Sequence, residues 1–215
     1  MKDCNSNAQP GREQELPEDL RSCVAFHGHL CPGLVYGYLV ARAAMKILQV
    51  SRCRDEEIVV ISENDTCAVD ALQWLLGTTI GKGNLILKDY GKNVFTVLNR
   101  SEKRAFRFSR KGHYLYEGRH QEEFAKLEAT FSAGQATNKQ RMRQKWLKAL
   151  DLLSKPFSAV FDTREVQYPE PPYAPLAPSE ACARCGEMTM ATKMVQGEKG
   201  ARVCIPCAQK MGLDP

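Results

Sequence analysis

Two imidazoles and a thiol fall within five residues at His27-Gly28-His29-Leu30-Cys31, and Pro32-Gly33 closes the run. A further thiol, Cys67, lies in Asp65-Thr66-Cys67-Ala68-Val69-Asp70. Nitrogen and sulfur donors of this kind suit zinc or another soft transition metal. His27, His29, Cys31 and Cys67 are therefore candidate ligands of one core ion, with Asp65 and Asp70 as candidate partners that orient them. A purely structural arrangement, two capped helix starts with buried histidines bonded to backbone, would use the same residues.

Near the C-terminus, Cys182-Ala183-Arg184-Cys185 and Cys204-Ile205-Pro206-Cys207 enclose eighteen residues. That is the spacing of a four-thiolate structural zinc site, in which each CxxC turn offers two sulfurs to one tetrahedral ion. Gly186 admits the sharp turn of a knuckle. Met188–Val195 and Ala201–Val203 are expected to form a hairpin closed by Gly197-Glu198-Lys199-Gly200, with a short helix opening at Cys207. The order resembles a treble-clef finger, similar to those of bacterial regulators that bind RNA polymerase.

The elements that must position the first cluster follow from periodicity. Glu18 to Phe26 reads as a short helix that Gly28 stops, and Pro32 suits the first turn of a longer helix, roughly Gly33 to Gln49. Cys31 then falls at an N-cap. The apolar strand Ile58–Ile61 leads to a helix capped by Asn64 or Asp65, running to about Leu76, with Cys67 in its first turn. Both cysteines thus meet positive helix ends, which are expected to lower their thiol pKa. Gly81-Lys82-Gly83-Asn84 lacks the spacing of a phosphate-binding loop and reads as a tight turn.

Leu85–Leu87 and Val94–Leu98 read as a hairpin around Asp89-Tyr90-Gly91-Lys92, and Ala105–Ser109 as a half-exposed strand. The basic run from Arg100 to Lys111 is read as a charged sheet edge. A helix from Glu122 to Phe131 follows, and Thr137-Asn138-Lys139-Gln140 is a capping box that opens another helix to Leu153, with Trp146 on its apolar side. Phe157–Phe161 is read as a last strand. The fold class is α+β, a mainly antiparallel sheet with helices, followed by a small zinc-finger domain.

The 215-residue length accommodates one sizeable core and a small appendage. Residues 1–14 read as a disordered polar tail, 15–162 as the core, 163–180 as a proline-rich spacer and 181–215 as the finger. Nine cysteines without a secretory leader point to metal ligation in the cytoplasm before disulfides. Cys4, Cys23 and Cys53 are read as plain thiols, and His113 and His120 as surface residues. The most apolar stretch, Leu34 to Val50, carries Arg42 and Lys46 and is a core helix, so no membrane is expected as a partner. A formal charge of +5 is too mild to argue for nucleic acid, and the finger is nearly neutral.

Phe26-His27-Gly28-His29-Leu30-Cys31-Pro32-Gly33, Asp65-Thr66-Cys67-Ala68-Val69-Asp70 and Gly81-Lys82-Gly83-Asn84, in that order, resemble the FmdE family of formylmethanofuran dehydrogenase proteins. The likeness runs from about Glu15 to Phe161. It implies an α+β core, an intertwined homodimer and a metal site built on the His/Cys motif. Members of the family occur with and without a finger, which makes the finger an accessory part.

Three functions are weighed on these residues. The first is a zinc-binding dimeric accessory or regulatory protein, with a protein partner met by the finger through Met188, Met190 and Met194. The second is an enzyme whose core site holds catalytic zinc or a reactive cysteine. The third is a nucleic-acid-binding regulator. The first is preferred, because the finger is clear and no general base or cofactor fingerprint accompanies the core motif.

Overall fold

The computed structural model describes residues 16–197 and 200–213; the expected tail, residues 1–14, lies outside the described residues. The chain divides into two compact units, one ending at Pro171 and the other starting at Pro172.

The first unit opens with helices α1 (Glu18–His27) and α2 (Pro32–Leu48). Strand β1 (Ile58–Ser62), helix α3 (Ala68–Leu76) and strand β2 (Leu85–Leu87) follow. Next come β3 (Val94–Asn99), β4 (Arg104–Arg110), α4 (Gln121–Ser132) and α5 (Asn138–Ser154). The short helix α6 (Phe157–Val160) and strand β5 (Phe161–Val166) complete the set. The five strands form one sheet in the order β2-β1-β3-β4-β5, antiparallel throughout except for the β1–β2 pair.

Two expectations are corrected here. β2 and β3 do not form a hairpin: β1 lies between them, parallel to β2 and antiparallel to β3. β1 is buried along its whole length and therefore needs a partner on each side, and α3 supplies the crossover that a parallel pair requires. The segment after β2 then turns over the end of β1, with the Tyr90 and Lys92 amides donating to the Glu63 carbonyl. The second correction is at Phe157, where Pro156 starts one helical turn and the strand begins only at Phe161.

One sheet face carries Ile58, Val60, Phe95, Val97, Phe106 and Phe108 into the main core beneath the helices. Phe95, Phe108 and Phe161 are among its largest fully buried side chains, and truncating one to alanine costs about 3–5 kcal/mol. The capping box forms as its sequence dictates, Thr137 and Gln140 bonding reciprocally, and Trp146 is buried in this core.

The opposite face presents Val59, Ile61, Leu98 and Ala105, against which Val166 and Tyr168 pack. β5 extends to Val166 and the chain beyond it stays on the sheet, so composition places the start of the spacer too early. Tyr168 accepts a hydrogen bond from Lys88 at 3.2 Å. The Arg100 guanidinium, with a side chain only 5% exposed, bonds to Glu170 and to the Pro171 carbonyl, both at 2.7 Å.

The second unit holds two small antiparallel pairs, β6 (Ser179–Ala181) with β7 (Met188–Met190), and β8 (Met194–Gln196) with β9 (Arg202–Cys204). Helix α7 (Ile205–Lys210) follows directly. The single hairpin expected from the sequence is thus split: Met188–Met190 pairs back to β6, and a helical turn at Ala191–Lys193 separates it from β8. No described helix is long and apolar enough to cross a membrane.

Candidate metal centres

Three helix ends meet at the first centre. Gly28, at φ 95°, terminates α1 by sending its amide back to Val24, which leaves His27 in the last turn. Cys31 is the extended N-cap of α2, and its sulfur accepts the Leu34 amide at 3.4 Å. Cys67 is the N-cap of α3 itself. The expected Asn64 cap is instead a turn one step earlier, in which the Asn64 side chain accepts from the Thr66 amide and hydroxyl.

What brings these ends together is a seam of two glycines on α2. A Cβ at Gly37 would lie 2.0 Å from the Ala68 carbonyl oxygen, so the backbones of α2 and α3 are in direct contact there. One turn earlier, a Cβ at Gly33 would meet the Cys67 Cβ at 3.0 Å and the Cys67 and Cys31 sulfurs at 3.6 and 3.8 Å. Gly33 therefore serves close approach and space beside the thiols, not chain reversal. The Gly33-x-x-x-Gly37 spacing is the signal that could have revealed the crossing, because residues four apart share one helix face.

Potential donor atoms of His27, Cys31 and Cys67 all lie within 4.8 Å of one another. His27 Nε2 is 3.7 Å from the Cys31 sulfur, and His27 Nδ1 is 2.6 Å from the Asp70 carboxylate. A carboxylate only accepts, so Nδ1 carries the proton and Nε2 presents its lone pair towards the thiols. This is the carboxylate–histidine arrangement common around bound metal, and Gln73 in turn donates to Asp70 at 3.3 Å.

His29 stands apart from this donor group: its ring stacks on that of His27 with centroids 4.7 Å apart. Burial, His27 and Lys145 push its pKa down, which keeps it neutral beside the centre. Asp65 is exposed and has no side-chain bond among the described residues. Two aromatics given no role on sequence grounds, Phe26 and Trp74, stack at 5.5 Å beside the centre, on the residue before His27 and one turn beyond Asp70.

The expectation that helix ends lower the thiol pKa is overturned for Cys31. Burial pushes that thiol up to about 11, and the Leu34 amide pulls it back only in part. A buried thiolate is costly without a positive partner, which a cation beside Cys31, Cys67 and neutral His27 supplies. The donor set is soft to borderline, and Gly33 leaves the sulfurs unobstructed, so these residues fit a zinc-like ion.

The second centre lies wholly within the C-terminal unit. The sulfurs of Cys182, Cys185, Cys204 and Cys207 all lie within 4.8 Å of one another. Gly186, at φ 77°, turns the first knuckle, and the Cys204 amide donates to the Cys182 sulfur at 3.3 Å. Amides of Cys185 and Cys204 pull the Cys182 thiol down to about 6. Cys207 goes the other way, to about 12, because its thiol meets other sulfurs first. Met188 is 68% exposed and Met190 39%, while Met194 is half-buried.

Comparison with known proteins gives three results. A family model described as "FmdE, Molybdenum formylmethanofuran dehydrogenase operon" matches residues 26–162. A probable S-adenosyl-L-methionine-binding protein of Archaeoglobus fulgidus is 29% identical over 206 residues, covering 91% of this chain. The chain spans only 54% of that relative's length. A crystal structure of an FmdE-like protein of tungsten formylmethanofuran dehydrogenase, from Syntrophus aciditrophicus, superposes with a TM-score of 0.55 at 21% identity, covering 92% of each chain. That last likeness is one of fold.

Proposed function

Since this chain belongs to the FmdE family of formylmethanofuran dehydrogenase proteins, we propose that it is a zinc-binding accessory or regulatory protein whose core centre holds a position for an exogenous ligand. The observation that carries this reading is the count of donors. His27, Cys31 and Cys67 converge, while His29 is turned against the His27 ring. Three protein ligands leave a tetrahedral ion one exchangeable position, whereas structural sites use four.

In this reading Asp70 fixes the His27 tautomer, and His29 with Phe26 and Trp74 shapes the approach. A bound ion would supply a Lewis-acidic point for a sulfur, nitrogen or oxygen donor. The finger holds its own structural zinc through Cys182, Cys185, Cys204 and Cys207, and offers Met188 and Met190 to a protein partner. The homodimer implied by the family would cover an apolar groove lined by Leu39, Ala43, Met45, Ile47 and Phe157. Cobalt substitution followed by titration with imidazole or a small thiol tests the open position. A shift of the visible absorption bands that Cys67→Ser abolishes supports it; bands that ignore added ligand mean a closed structural site.

A second reading is favoured by the Phe26–Trp74 pair, whose side chains are 50% and 39% exposed. An exposed aromatic stack suits a purine or a sulfonium cation, both present in S-adenosyl-L-methionine. Calorimetric titration with that compound, against wild type and Trp74→Ala, decides it.

A further inference from the structure

Away from both centres, a cavity of about 320 Å3 lies among α2, the end of β4, and the chain around α6. Its charged lining is mostly self-neutralised. Lys111 pairs with Asp162 at 3.0 Å and donates to the Ser158 carbonyl. Lys155 pairs with Glu117 and lies 3.7 Å from Asp151, and the Tyr114 hydroxyl donates to Asp151 at 2.5 Å.

Two groups are left over. The Arg110 guanidinium lies 4.9 Å over the Tyr36 ring, and among the described residues it has no ion pair or hydrogen bond. Tyr36 is only 7% exposed, and its hydroxyl likewise has no hydrogen-bond partner among the described residues. That hydroxyl lies within the fields of Arg110, Asp151 and Lys155, which places it at the charged side of the cavity. Burial pushes the phenol pKa up, so the hydroxyl stays a donor.

A buried donor and a lone cation at one cavity are matched by a single oxyanion, because charge-assisted bonds to both are stronger than neutral ones. Leu152, Pro156 and Val160 make the remaining wall apolar. We propose that this cavity binds a small carboxylic acid, its carboxylate held by Arg110 and the Tyr36 hydroxyl and its apolar body laid against Leu152, Pro156 and Val160. One uncommitted cation suits a monoanion better than a phosphate dianion. The volume, at the lower end for ligand sites, restricts the acid to a compact one.

Calorimetric titration of the full chain with benzoate, phenylacetate and isovalerate tests the site. Saturable binding of at least one is expected, weakened at least tenfold in Arg110→Met, which keeps the aliphatic stem over Tyr36. Tyr36→Phe keeps the ring and should weaken binding roughly three- to tenfold, the worth of one hydrogen bond. It also carries the test should Arg110→Met fail to fold by circular dichroism. Cys67→Ser should leave this affinity unchanged, which separates the site from a carboxylate bound at the core centre. Absence of saturable binding, equal affinity in both cavity variants and wild type, or displacement by inorganic phosphate at equal concentration overturns the proposal.

Discussion

The carbonyl oxygen of Ala68 occupies the space that a side chain at Gly37 would need, 2.0 Å from where its Cβ would stand. One backbone thus rests on another where α2 crosses α3, and the cysteine caps of both helices lie near the crossing. The donor cluster depends on this contact as much as on the donors.

Gly37→Ala should therefore force α2 and α3 apart. Overpacking at a rigid contact costs about 1–3 kcal/mol, and here the obstructing atom is backbone, so the upper end is expected. Urea titration checks the stability, and elemental analysis should find the core ion reduced with the finger's zinc retained.

Asp70→Asn should leave the fold intact and lower core metal affinity roughly 10- to 100-fold, the usual effect of losing a carboxylate behind a ligating histidine. His27→Ala should abolish the core ion, whereas His29→Ala should retain it. Competition with a chromophoric chelator distinguishes the three. Equal loss in the two histidine variants would make His29 a ligand.

Alkali should destabilise the first unit before most lysines titrate. Burial and nearby Asp19 push Cys23 up to about 12, and the same two causes push Tyr38 to about 12. Folding therefore favours their protonated forms. The resulting stability is complete below the unfolded values of roughly 8.5 and 10, and is lost as pH rises through them towards the folded values. Melting temperatures from pH 8 to 11 should fall, and Asp19→Asn should flatten the decline.

A chain ending at Pro171 should be folded and soluble, while one ending at Asp162 should aggregate. The shorter chain loses nearly all of β5, Tyr168 from the second sheet face, and the Glu170 and Pro171 partners of buried Arg100. Light scattering and circular dichroism of the two products check this.

Legibility of the sequence varies with the range of the interaction. Gly28, Cys31, the capping box and the two CxxC turns are local devices, and each acts within a few residues of itself. The β1–β2 pairing is hidden because a hairpin and a crossover present the same short apolar runs. His29 cannot be told from His27 by spacing, since Asp70, 43 residues on from His27, selects between them. The Cys31 pKa turns on burial by distant elements, which outweighs the helix end that the sequence displays. The lone Arg110 is invisible within a basic run, because its neighbours' partners come from α6 and β5.

The core donors sit on the last turn of one helix and the caps of two others, so any ion they share would act as a clasp on the three-helix layer. Occupancy and cohesion then share one free energy. Each tenfold rise in free ion above its dissociation constant would tighten the whole unit by about 1.4 kcal/mol. Cellular metal supply would thereby set how long this protein persists, whatever else its centre does.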